Sequence, residues 1–73
     1  MKKRIENLIA EYDAKIKTTE ERIEIAIMER NEFKSQGDKT MVQFCREDIK
    51  KLNGEANAFY QARADIESLL VAI

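Results

Sequence analysis

Apolar residues, with a few polar ones in step, recur along this chain at alternating intervals of four and three. The first run is Ile5, Ile9, Tyr12, Ile16, Thr19, Ile23, Ala26, Arg30 and Phe33. The second is Val42, Cys45, Ile49, Leu52, Ala56, Phe59, Arg63, Ile66, Leu70 and Ile73. Intervals of this kind average 3.5 residues, which holds one stripe of an α-helix against a neighbouring helix as the two wind round each other. The pattern predicts an all-α chain: two long helices in an antiparallel coiled-coil hairpin. The helices are expected over about residues 4–35 and 40–72, with a turn at 36–39.

The turn has its own signals. Gly37 supplies the left-handed backbone that ends a helix, and Asp38 or Thr40 can cap the next one. Thr40 followed three residues later by Gln43 has the spacing of a capping box. The chain has no proline and only two glycines, so Asn53-Gly54 is the one other candidate break. Because Leu52, Ala56 and Phe59 stay in step across it, the second helix is expected to continue, with Gly54 on the outer side.

Folding the chain at its midpoint pairs the stripes layer by layer: Phe33 with Val42, Ala26 with Ile49, Ile23 with Leu52, Ile16 with Phe59, Ile9 with Ile66 and Ile5 with Leu70. Three layers carry a polar group, at Thr19, Arg30 and Arg63. Arg63 can pass the Tyr12 ring toward Asp13, and Arg30 is close enough to the turn to reach water. Polar seam residues of this kind set register at some expense in stability.

Leu8, Ile25, Ile27, Met28, Met41, Phe44, Tyr60 and Leu69 lie off the seam. A two-helix hairpin cannot cover them. They are read as an interface that either packs two hairpins into a four-helix bundle or receives another protein. Within the set, Met28, Met41 and Phe44 would make an adaptable patch at the turn end. A single domain of 73 residues buries only about 60% of its unfolded surface, which also favours self-association, most simply as a dimer.

Charge and chemistry narrow the function classes. Thirteen basic and fourteen acidic residues give a net charge of −1, so neither nucleic acid nor an anionic membrane is strongly attracted. Lys2, Lys3 and Arg4 form the one basic cluster, at a helix start where the dipole disfavours positive charge, and fraying is expected there. No apolar stretch approaches the roughly 18 residues of a membrane span, and no secretion signal follows Met1. A soluble, cytoplasmic protein is expected, consistent with a lone cysteine on the apolar stripe.

With no histidine in the chain, Ser35, Thr40 and Ser68 have no imidazole to activate them. The carboxylates of Glu20, Glu24, Glu47 and Asp48 each have a Lys or Arg within four residues and are expected to form helix-surface pairs. No catalytic, cofactor-binding or metal-ligating residue is assigned, and no motif carries a resemblance to a known family. The function expected is a non-enzymatic protein–protein interaction module: a small adaptor, assembly factor or inhibitor acting as a homo-oligomer. The alternative is a helical oligomer that holds a small ligand against Arg30, Arg63 or Tyr60, because a seam guanidinium attracts a carboxylate or phosphate.

Overall fold

The computed structural model describes residues 1–72 and is all-helical. Helix α1 spans Lys2–Ser35 and helix α2 spans Lys39–Ala72, and the two pack against each other as a hairpin. The molecule is a rod of 55 × 14 × 11 Å with a radius of gyration of 16.6 Å. A globular chain of this length would have a radius of gyration of about 11 Å.

The 3.5-residue stripe is where the two helices meet. Every position of the first run is buried or half-buried, and so is every position of the second from Val42 to Leu70; Ile73 lies outside the described residues. On α1 the single off-stripe residue that is not exposed is Ile27. Cross-helix contacts fall at Tyr12–Phe59, Asp13–Arg63 and Glu20–Tyr60, which bracket the expected layers of Ile16 with Phe59 and Thr19 with Ala56. Burial is thin: Thr19, Ala26 and Cys45, the best-covered side chains, each keep 4% exposure. A seam between two helices is one layer deep, and no third element closes over it.

The turn uses one residue for both helices. Gln36 ends α1 in a helical conformation, and Gly37 follows at φ +74°, in the left-handed region. The Asp38 N–H donates to the Phe33 carbonyl at 3.0 Å and the Gly37 N–H to the Lys34 carbonyl at 3.1 Å, which is the Schellman pattern. Asp38 then caps α2: its Oδ1 accepts from the Met41 N–H at 3.1 Å, and its carbonyl accepts from Val42. The Thr40–Gln43 capping box does not form, because α2 already begins at Lys39 and the Gln43 amide donates to Glu47 instead. At the other end, α1 begins at Lys2, so the basic cluster is helical; Met1 contributes its carbonyl to the Ile5 N–H and no side-chain cap.

Helix α2 passes Gly54 without a break, and a Cβ placed there would meet nothing within 4 Å. In-step packing at Leu52 and Ala56 on either side outweighs the weak helix preference of glycine, about 1 kcal/mol. Thr19, the buried polar residue of the seam, donates its hydroxyl to the Lys15 carbonyl at 2.8 Å, which satisfies it without a partner on α2. Among the described residues, no helix is long and apolar enough to cross a membrane.

Candidate interaction surfaces

Because the seam residues are used between α1 and α2, the rows on either side of the seam form two long faces of the rod. Steps of seven keep residues on one face. On the first, Leu8, Lys15, Arg22 and Glu29 of α1 lie beside Met41, Asp48, Glu55, Ala62 and Leu69 of α2. Glu29, Arg22 and Ile25 line a trough of about 370 Å³ there together with Asp48, Lys51 and Glu55. The apolar side chains stand at the two ends, Leu8 and Leu69 at the open end, Met41 and Ile25 toward the turn. This is the leucine face.

On the opposite face, which is the tyrosine face, Tyr60 and Ile27 supply the apolar surface. The Tyr60 hydroxyl donates to Glu20 Oε1 at 3.1 Å. Donating that bond, together with partial desolvation and the negative charge of Glu20, raises the phenol pKa above its usual value of 10.0; Arg63 acts in the opposite sense. Arg63 pairs with Asp13 across the seam and with Glu67 one turn ahead on α2. The hydrogen bond to Asp13 leads the interactions that raise its pKa further above its already high usual value, so the guanidinium stays charged. Beside it, the Tyr12 and Phe59 rings stand 6.1 Å apart at 57°, with the Lys15 ammonium 4.9 Å from the Tyr12 centroid. The seam can carry Arg63 because its head is neutralised at the rim by Asp13 and Glu67.

Of the eight residues expected at an interface, six are well exposed and two, Ile27 and Met41, are half-buried against the seam. Met28 is 70% exposed, Phe44 64%, Ile25 56% and Leu69 54%, which is far above what a seam between two helices leaves open. Of the three residues expected to form a patch at the turn, Met28 and Phe44 are exposed and Met41 is half-buried. Phe44 lines a shallow trough made only of α2 residues, Thr40 and Glu47 among them, whereas Met28 points away from the seam on α1. Met41 lies between Phe44 and the seam.

The seam arginines are also apart. Arg63 and Tyr60 border one open trough of about 600 Å³, while Arg30 lies near the turn and donates to its neighbour Asn31 at 3.3 Å. The trough has Asp13, Glu20, Glu21 and Glu24 on its walls, so its field is negative despite Lys17 and Arg63. The lysine and arginine pairs expected for Glu20, Glu24, Glu47 and Asp48 are not formed: among the described residues, the ion pairs within 4 Å are those of Arg63. Glu20 is held by Tyr60 and Glu47 by Gln43 instead. Exposed helix pairs gain little over solvated charges, so side chains settle on whichever neighbour is nearest.

Elsewhere, Ser35 and Ser68 donate to carbonyls of their own helices, at 2.7 and 3.1 Å. Cys45 is buried in the seam; desolvation, with the carboxylates of Glu29 and Asp48 nearby, pushes its thiol pKa above 9.0 against the opposing pull of Arg30. Among the described residues, no three metal-ligating side chains gather. The sequence could place residues on faces, but not the bond that orients Tyr60, since Glu20 and Tyr60 are forty positions apart and meet only once the register is set. Compared with protein-family models, with curated proteins and with solved structures, the chain matches none.

Proposed function

We propose that this chain is a non-enzymatic protein–protein interaction module, a small adaptor, assembly factor or inhibitor, acting as a homo-oligomeric helical hairpin in which two copies pack as a four-helix bundle. The observation that carries the reading is the surface left open. The hairpin exposes 5712 Å², whereas a folded chain of 8.5 kDa is expected to expose about 4,650 Å². Part of that follows from the rod shape, and the exposed surface includes the large apolar side chains of Leu8, Ile25, Met28, Phe44, Tyr60, Leu69 and Val71. Surface of that kind is characteristic of a subunit rather than of an isolated monomer.

A two-fold dimer of flat hairpins covers one face of each copy. The other remains available, which is how one module both self-associates and engages a different protein. The ligand-binding alternative has less to rest on: Arg63 is already neutralised by Asp13 and Glu67, and the trough beside Tyr60 carries four carboxylates against two cations.

Light scattering at micromolar concentration tests self-association, with a dimer expected and a well-folded monomer standing against it. Substituting Ile25→Asp and Phe44→Asp together asks what the leucine side of the rod does. Capture of a specific protein from the native host by the unaltered chain, lost with the double variant while the dimer persists, is the outcome expected of an adaptor. A chain that captures nothing in either form would contradict the adaptor role.

A further inference from the structure

We propose that the tyrosine face is the surface through which two copies meet, and that they meet antiparallel, with their turns at opposite ends of the dimer. This rests on the self-association proposed above and adds its face and direction.

The argument is the order of charge along that face. At intervals of seven, α1 presents Glu6, Asp13, Glu20, Ile27 and Lys34. Likewise α2 presents Lys39, Arg46, Asn53, Tyr60 and Glu67. Both rows therefore run from acidic at the open end to basic at the turn, with uncharged side chains between; the Arg63 head, paired with Asp13 and Glu67, offsets one charge at the acidic end and leaves that end net negative. At 1.5 Å per residue, Lys34, Lys39 and Arg46 lie within about 13 Å of the turn, while Asp13, Glu67 and Glu6 lie about 37–47 Å from it. Lys34, Lys39 and Arg46 border a single trough of about 420 Å³ beside Val42, and none of them has an ion-pair partner among the described residues.

A surface that is positive at one end and negative at the other is complementary to itself when turned end for end, which is the requirement of an isologous two-fold contact. With the two-fold at the middle of the 55 Å rod, Glu6 falls opposite Lys34 of the second copy and Glu67 falls near its Lys39. Arg46 falls between the carboxylate of Glu67 and the ring of Tyr60. Asn53 approaches its own counterpart near the axis. Glu20 is the like-charge contact at the axis, and it already accepts a hydrogen bond from its own Tyr60. Side by side in parallel, by contrast, the copies would bring Lys34, Lys39 and Arg46 against the same three cations.

The leucine face has a weaker charge order, with Lys15 and Arg22 toward the open end and Glu29, Asp48 and Glu55 toward the turn and middle, and its ends carry the apolar Leu8, Leu69 and Met41 rather than charges. Parallel packing there sets Glu29 against Asp48 of the other copy, and antiparallel packing places Lys15 between Arg22 and Glu29 and brings Glu55 against its own counterpart. Area is sufficient on either face: the 55 × 14 Å side of the rod is about 770 Å², close to the roughly 800 Å² per partner of a standard interface. The inference thus leaves the leucine face, with Leu8, Ile25 and Leu69, for the other protein.

Two measurements on the full chain test it. The first places a spin label at the exposed turn as Gln36→Cys, in a Cys45→Ala background or, should that fold poorly, Cys45→Val. Dipolar spectroscopy on the dimer is expected to give a separation of about 50 Å, whereas parallel copies would give less than about 20 Å. The second is Lys34→Glu with Arg46→Glu, both exposed and unpaired, which is expected to weaken dimerisation at least about tenfold while helix content is unchanged. A short label distance in a dimer, or a dimer constant unmoved by the charge reversal, overturns the antiparallel tyrosine-face contact and leaves self-association standing. A wild-type chain that is monomeric by mass overturns both.

Discussion

Asp38 serves both helices at the turn. Its N–H closes the end of α1, while its carboxylate and carbonyl open α2. Asp38→Ala removes only the side-chain part and is expected to lower stability by about 1 kcal/mol, with Asp38→Asn recovering most of it, as read by urea unfolding at pH 7. Tyr60 reports on the register from a distance. Its raised pKa belongs to the folded state, so the contribution of the Glu20 bond is fully present below pH 10 and is lost as pH rises through the raised folded value. In a Tyr12→Phe background, where Tyr60 is the one phenol, ultraviolet titration should place its midpoint above 10, and Glu20→Gln should bring it down. A midpoint that Glu20→Gln does not move would mean the two residues are not in contact.

Gly54 separates the two terms that decide where a helix continues. Local propensity argues for a break at Asn53-Gly54, and the seam argues against it; the uninterrupted α2 shows that packing wins. The residue sits in open space on the outer row, so Gly54→Ala should raise stability by about 1 kcal/mol with no change in oligomeric state, whereas Gly37→Ala at φ +74° should lower it by about as much or more. Urea midpoints of the two variants check both signs. At this scale the sequence was informative because intervals of four and three persist through both arms: the stripe, the turn near Gly37 and the reach of Arg63 toward Asp13 all follow from periodicity and side-chain length. The cap did not. Thr40 and Asp38 both offer an oxygen, and choosing between them depends on where the left-handed Gly37 delivers the chain. Nor did the surface pairs, since solvated charges have several neighbours of nearly equal worth and sequence spacing alone does not rank them.

The whole molecule is governed by the shallowness of its core. Two helices make one layer of contact, which buries small and medium side chains such as Ala26, Cys45, Val42 and Leu52 but seals none of them fully. What lies beside the seam was legible as a set of residues and not as a site, because a helical wheel assigns a face to each side chain without saying which outer rows gather. Phe44 and Met28 are both exposed, on different helices near the turn. The surface excess that remains is the central claim, and sedimentation equilibrium at micromolar concentration and neutral pH tests it most directly. Twice the chain mass of 8.5 kDa, with a fully helical spectrum, is the result expected. A single folded chain at that mass would contradict it.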